Sequence, residues 1–186
     1  MRAKMSKKPV DRRIGKTRDS LARALFKLMH QQSWNAITIQ SLCDEANVAR
    51  ASFYGHFTSK VELLDFLIAE SFEQQIPAQP IGGRGDYFSI LSWLVDHIAS
   101  SRPLFSRIAS EAEVAPVLGR FKRALQVRFE QALMEGGIKT NATTIAFVMG
   151  GTFDAILHWS KRWQMKDLPQ LRQSILAMAR AAVEAA

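Results

Sequence analysis

Residues 37–64 read ITIQSLCDEANVARASFYGHFTSKVELL, and the fold prediction starts from this stretch. Its first apolar residues recur at the i, i+3, i+4, i+7 spacing that places side chains on one helical face. They are Ile39, Leu42, Cys43 and Ala46. Thr38 precedes them and can cap the helix through its hydroxyl. Asn47 follows them and tolerates the left-handed backbone of a tight turn, so the pattern predicts a short helix that ends sharply.

A second and much shorter helix is predicted from about Arg50 to Tyr54, with Phe53 as its large apolar anchor. Ser59 and Glu62 then have the spacing of a capping box, which predicts the start of another helix. Because so short and polar a helix is not stable alone, the preceding helix must support it while its outer face serves another purpose. This is the arrangement of a helix-turn-helix, whose second helix enters the DNA major groove. Spacing alone leaves an ordinary helical hairpin as the alternative.

The net charge of the chain is confined to its first third. Residues 1–60 contain 12 Lys and Arg against 4 Asp and Glu, whereas residues 61–186 contain 13 of each sign. A basic block of this kind is typical of a protein that binds a polyanion. The split predicts two domains, with a basic helix-turn-helix domain in residues 1–60 and a helical domain in residues 61–186.

The composition also limits the class of protein. No uninterrupted apolar run approaches the ~18 residues of a membrane span, and no apolar stretch follows the basic N-terminus as in a signal peptide. Cys43 has no partner for an internal disulfide, and its place on an apolar helical face indicates a buried hydrophobe. We therefore expect a cytoplasmic protein. No motif for a metal or a cofactor is found, and we expect neither.

The remainder of the chain also has helical spacing, without the alternation of a β-strand. Thr17 can cap the first helix. Pro116 suits the first turn of a later one, which Gly136 and Gly137 end. We predict an all-α fold of about nine helices, with these further segments in the order 17–32, 59–75, 87–101, 103–111, 116–135, 141–163 and 168–185.

Residues 37–64 resemble the TetR family of bacterial transcriptional regulators. The resemblance is carried by Ala46, Val48, Phe53, Tyr54, His56, Phe57, Lys60, Leu63 and Leu64. It implies an N-terminal three-helix DNA-binding domain and a C-terminal helical bundle for effector binding and dimerisation. It further implies a homodimer on a palindromic double-stranded operator, and a repressor that a small-molecule effector releases from DNA.

The resemblance also implies which residues contact DNA. Base contacts fall at Ala49, Arg50, Ala51 and Ser52, and phosphate contacts fall at Thr38, Tyr54, His56 and Lys60. Arg50 is the main candidate for specificity, because a guanidinium can bond a guanine edge bidentately. Ala49 replaces a capping Ser of the family pattern, so Asn47 is considered as the cap of the second helix instead.

The basic residues before the helix-turn-helix suggest an arm that reaches phosphates or the minor groove. The candidates are Arg12, Arg13, Lys16 and Arg18. A solubilising tail is the alternative interpretation of the same residues.

The last two predicted helices have long apolar stripes that suggest a two-fold interface between subunits. The candidate interface residues are Met149, Ile156, Trp159, Ile175 and Met178. The alternative is that both helices complete the core of a single subunit. The resemblance favours the dimer, because family members typically pair through their last two helices.

Polar residues within apolar runs of the C-terminal half are candidates for an effector pocket. They are Trp93, His97, Arg107, Asp154 and His158, although each alone also fits a solvated or internally bonded residue. Two rival functions are a DNA-binding protein without a ligand and a helical-bundle enzyme that uses Asp96 with His97 or Asp154 with His158. The charge split and the lack of a catalytic motif disfavour an enzyme.

Overall fold

A computed structural model of the chain describes residues 9–75, 87–162 and 165–186. Within these ranges the regular structure is entirely helical, which confirms the all-α prediction. The helices are α1 (Pro9–Gln31), α2 (Ile39–Ala46), α3 (Arg50–Tyr54), α4 (Lys60–Gln75), α5 (Ser89–Ser100), α6 (Arg102–Ile108), α7 (Ala115–Glu135), α8 (Ala142–Arg162) and α9 (Leu168–Glu184). No helix in the described ranges is both long enough and apolar enough to cross a membrane.

The chain divides into two compact units. Unit 1 ends at Ile68, and unit 2 begins at Ala69. This division falls within α4, whereas the charge pattern changes at residue 60.

The core of unit 1 is built from one face of each of its helices. An apolar stripe on α1 is buried, together with side chains from α2, α3, α4 and the connections between them. The largest are Trp34, Ile37, Leu42, Phe53, Phe57, Leu63 and Leu64. Cys43 is also buried, and desolvation raises the pKa of its thiol, as expected for a small hydrophobe without redox reactivity.

Helix α1 begins at Pro9, eight residues before the start predicted at Thr17. Proline suits a first helical turn, because the N–H that it lacks has no partner there. The basic residues proposed as an arm therefore lie along α1 rather than ahead of it. The side chains of Arg12 and Arg13 lie outside the described part of the structure. Residues 1–8 lie outside it entirely.

The apolar stripes of α8 and α9 form the interior of unit 2, which corrects most of the predicted dimer interface. Met149, Ile156, Trp159 and Ile175 are at most 3% exposed. The reason is that this face of α8 meets the other helices of its own unit, since α8 packs against α5, α6, α7 and α9. Met178 is the one predicted interface residue on the surface, with 60% of its side chain exposed.

Candidate nucleic-acid interface

Helix α2 is capped at both ends, and its C-terminal cap forms the turn that leads to α3. Thr38 Oγ1 accepts from Ser41 N at 3.0 Å, and Ser41 Oγ accepts from Thr38 N at 3.0 Å, so the predicted cap is present. Asn47 adopts the left-handed conformation expected of it, with φ 54° and ψ 48°. Its backbone N–H closes α2 by bonding Asp44 O at 3.2 Å. Asn47 is therefore the C-cap of α2, and the suggestion that it caps α3 is wrong.

Helix α3 is anchored by a single buried ring. Phe53 is fully buried, and its ring centroid lies 6.0 Å from that of Phe57. Ala49 precedes α3 without a side-chain cap. The four residues predicted to face bases are all exposed, namely Ala49, Arg50, Ala51 and Ser52. A five-residue helix thus shows its polar face to solvent and contributes one side chain to the core.

Arg50 is the only cation on α3, and it is aligned along the exposed face by Tyr54. Its Nη2 donates to Tyr54 Oη at 3.4 Å, and its Cζ lies 5.7 Å from the centroid of the Tyr54 ring. The hydrogen bond to Tyr54 raises the pKa of Arg50. The outer face of α3 therefore carries a fixed positive fork with free donors for a base edge.

The four predicted phosphate contacts divide into two groups. Thr38 and Tyr54 are exposed and His56 is partly exposed, so all three can meet a ligand from solvent. Lys60 is directed inward instead. Its Nζ donates to Trp34 O at 3.0 Å and to Ile37 O at 3.4 Å, and it lies 4.6 Å from the Trp34 ring centroid.

The connection from α3 to α4 is held by Glu62. Ser59 Oγ accepts from Glu62 N at 3.2 Å, so Ser59 caps α4 as predicted. The Glu62 carboxylate reaches one residue further back than a capping box requires, because it accepts from Thr58 N at 2.6 Å and from Thr58 Oγ1 at 2.7 Å. These bonds lower the pKa of Glu62.

The two predicted arm residues with described side chains differ in what they face. Lys16 is exposed. The guanidinium of Arg18 lies over two rings of unit 1, with its Cζ 4.2 Å from the Phe66 centroid and 5.3 Å from the Phe57 centroid. Lys16 is therefore accessible to a ligand from solvent, whereas Arg18 joins α1 to α4.

The predicted effector-pocket residues do not form one cluster. Trp93 and His97 stack with ring centroids 4.7 Å apart, and His97 meets Phe105 edge-on at 5.8 Å. Burial lowers the pKa of His97, which favours the neutral imidazole. In contrast, Arg107, Asp154 and His158 are exposed, because they lie on the outer faces of α6 and α8.

The same placement corrects the suggested acid–base pair on α8, since Asp154 and His158 both face solvent rather than an enclosed site. Within the described ranges, no three His, Cys, Asp or Glu side chains come together as metal ligands.

Sequence reasoning missed an apolar groove between α8 and α9. Phe147 and Met178 border it and are 69% and 60% exposed. The groove is lined by Phe147, Val148, Gly151, Thr152, Ile175, Met178 and Ala179. Phe147 lies off the main stripe of α8, and a second, weaker apolar face on the same helix was the available signal.

A short solvent-facing helix, set behind a left-handed turn in a compact helical unit, defines a helix-turn-helix protein. Residues 21–66 match the family described as bacterial regulatory proteins, tetR family. This match confirms the resemblance to the TetR family that the sequence indicated.

One relative and two solved structures illustrate this similarity. An uncharacterized HTH-type transcriptional regulator of Bacillus subtilis (strain 168), YxbF, is 33% identical over 84 residues, which are 45% of this chain and 22% of that protein. A TetR transcriptional regulator from Rhodococcus sp. RHA1 has a TM-score of 0.65 at 13% identity, over 90% of this chain and 95% of the other. The regulator FadR from Bacillus subtilis, solved in complex with stearoyl-CoA, has a TM-score of 0.55 at 16% identity, over 88% and 96%.

The alignment with YxbF spans less than a quarter of that protein's length. The solved structures extend the similarity of fold to most of this chain, including the C-terminal helical unit. The predicted architecture, an N-terminal helix-turn-helix followed by a C-terminal helical bundle, is confirmed.

Proposed function

We propose that this protein is a sequence-specific transcriptional regulator that places α3 in the major groove of duplex DNA. The observation that carries the proposal is the exposed face of α3, where Ala49 to Ser52 point outward while Phe53 alone secures the helix. The net charge of +8 lies on residues 1–60, in the same part of the chain. A polyanion would be drawn to this part of the chain, where the exposed face of α3 could read it.

Arg50 is the proposed specific base contact. A guanidinium can donate to both the O6 and N7 atoms of guanine, and such a pair contributes about 1–3 kcal/mol of discrimination. Ala49, Ala51 and Ser52 are small enough to let the helix backbone approach the base edges, and an alanine methyl suits the methyl group of thymine. Thr38, Tyr54 and His56 would then position the domain on phosphates.

A homodimer is the proposed binding species. One short recognition helix reads few bases, whereas two related by a two-fold axis read half-sites about 34 Å apart. The groove between α8 and α9 supports this proposal, because Phe147 and Met178 expose large apolar side chains side by side. Contiguous apolar surface of this kind is a common mark of a protein–protein interface.

We further propose that unit 2 binds a small molecule and that binding releases the protein from a repressed operator. FadR, which has the same fold, is described in complex with stearoyl-CoA. The stacked pair of Trp93 and His97 is the candidate contact for a ligand in this chain. Such an effector must bind the DNA-competent and DNA-incompetent states with different affinities, since only this difference shifts the equilibrium.

The decisive experiment is selection of bound fragments from random duplex DNA by the purified protein, followed by a salt series on the enriched sequence. We expect an enriched palindrome with two half-sites, and an affinity that falls steeply with salt as counterions are released. Failure to bind any duplex at low ionic strength would refute the proposal.

A gel shift with added candidate ligands separates the ligand-responsive repressor from a DNA-binding protein that has no effector. The expected result is that one compound both loosens operator binding and raises the melting temperature. Compounds that stabilise the protein without changing its DNA affinity favour the second candidate.

A further inference from the structure

Lys60 connects two segments that are distant in sequence. Its Nζ donates to Trp34 O at 3.0 Å across 26 residues of chain, and to Ile37 O at 3.4 Å. The same ammonium lies 4.6 Å from the centroid of the Trp34 ring, which adds a cation–π contact. Two of its three N–H donors are thus directed at backbone carbonyls of the connection between α1 and α2.

These carbonyls belong to the segment that sets the start of α2. Trp34 and Ile37 are 1% and 2% exposed, and Ile37 N donates to Trp34 O at 3.2 Å. Thr38, the N-cap of α2, follows immediately. The first residue of α4 therefore holds the backbone from which α2 begins.

The next residues of α4 hold the opposite side of the helix-turn-helix. Glu62 accepts from the backbone and side chain of Thr58, and Ser59 caps Glu62 N. The first turn of α4 is thus bonded both to the segment before α2 and to the segment after α3. Because α3 has only five residues, its direction depends on the supports at its two ends.

We propose that Lys60 is a positioning residue for α3, which supports specific DNA recognition by holding the start of α2 against α4. It does this through the carbonyls of Trp34 and Ile37 rather than through the phosphate contact that the family resemblance implies for it. The proposal rests on the proposed DNA-binding function. It makes Lys60 a determinant of specificity, since base contacts depend more strongly on helix direction than phosphate contacts do.

The variant Lys60→Met tests the proposal, because it keeps an unbranched side chain over Trp34 and removes the ammonium. Affinity is measured for the selected operator and for a random duplex over a salt series, well below the melting temperature of the variant. We expect operator affinity to fall about tenfold, as for partial loss of one bidentate base contact. Random-duplex affinity and the salt slope are expected to remain at wild-type values.

Two other results would overturn the proposal. If operator and random DNA weaken equally and the salt slope decreases by about 0.9, Lys60 neutralises a phosphate. If the melting temperature falls while both affinities stay unchanged, Lys60 serves stability alone. Lys16→Met is the matched control, because it removes an exposed lysine from α1 and is expected to give the phosphate-contact result.

A second measurement uses the unmodified protein, so that it does not depend on the folding of a variant. The side-chain ammonium resonance of Lys60 is followed by NMR while operator duplex is added. We expect it to keep its chemical shift and slow exchange, since its donors already face carbonyl oxygens. A large shift on DNA binding contradicts the positioning role. Absence of any DNA binding by the wild-type protein would instead refute the proposed function.

Discussion

Arg50 and Tyr54 lie one turn apart on α3, and Arg50 Nη2 donates to Tyr54 Oη at 3.4 Å. Pairs at i and i+4 are neighbours on a helix surface, so this contact needs no other part of the fold. The guanidinium is held along the exposed face before any partner arrives. Pre-ordering of this kind lowers the side-chain entropy lost when a base contact forms.

Arg50→Ala is expected to reduce operator affinity by about 1–3 kcal/mol while leaving random-duplex affinity much less changed. The reason is that the variant loses a base contact on the operator, whereas on random DNA it loses only the attraction of one positive charge. Fluorescence anisotropy on both duplexes measures the two losses. Equal losses on operator and random DNA would show that Arg50 contacts the backbone.

Tyr54→Phe provides the companion measurement, because it removes the hydroxyl that Arg50 bonds and keeps the ring. In a double-mutant cycle with Arg50→Ala, we expect a coupling in operator binding of at least about 0.5 kcal/mol. Additive losses would mean that Tyr54 and Arg50 act on DNA independently.

Arg18→Met and Lys16→Met both remove one positive charge from α1, but we expect the first to lower stability and the second to lower the salt dependence of DNA binding. Arg18 lies over Phe66 and Phe57, and loss of its guanidinium should cost about 0.5–2 kcal/mol of stability. Lys16 is exposed, so its removal should leave stability unchanged and lower the salt slope of DNA binding by about 0.9. Thermal melts and salt titrations measure both quantities for each variant. A reduced slope in Arg18→Met with unchanged stability would restore Arg18 as an arm residue.

Glu62 is expected to give unit 1 a stability that acid removes. Its hydrogen bonds to Thr58 lower its pKa from the usual value of 4.5. A carboxylate with a lowered folded pKa stabilises the protein above its unfolded pKa, and this contribution is lost as pH falls through the folded value. The melting temperature of Glu62→Gln should therefore lie below that of wild type at neutral pH, and the gap should close as pH falls below the usual value of 4.5 and through the lowered folded pKa.

Glu130→Gln, on the exposed side of α7, is the matched control for that comparison. It should melt like wild type throughout the same pH range. A Glu62→Gln gap that stays constant in acid would mean that the carboxylate charge does not contribute to the contact with Thr58.

Phe147→Asp is expected to convert the proposed dimer to single subunits with retained helical content, because it places a charge on the groove between α8 and α9. Met134→Asp is the control, since Met134 is 70% exposed on α7 and lies outside that groove. Sedimentation at micromolar concentration measures the mass of each variant. Dissociation of both variants, or of neither, would place the interface elsewhere.

Local signals in the sequence were sufficient for much of unit 1. The cap at Thr38, the left-handed Asn47 and the buried stripe of α1 each depend on residues within a few positions of one another. The start of α1 was predicted too late, because a capping threonine at position 17 was preferred over a proline that suits a first turn equally well.

Local sequence signals could not predict contacts between segments that are distant in the chain. Helical spacing shows which residues share a face, but it does not show what that face meets. Met149 and Trp159 therefore could not be assigned to a subunit core rather than an interface, and Phe147 on a weaker face was passed over. The bond from Lys60 to Trp34 links residues 26 apart, and no periodicity reports it.

Helix α3 has a single buried residue, and this affects which substitutions the chain can tolerate. Phe53 alone binds that helix to the interior, so the four outward residues before it bear almost no structural duty. Substitutions there should leave folding intact while redirecting the protein to a different binding sequence. Under the proposed function, the choice of DNA target can therefore change through these four residues without loss of the fold.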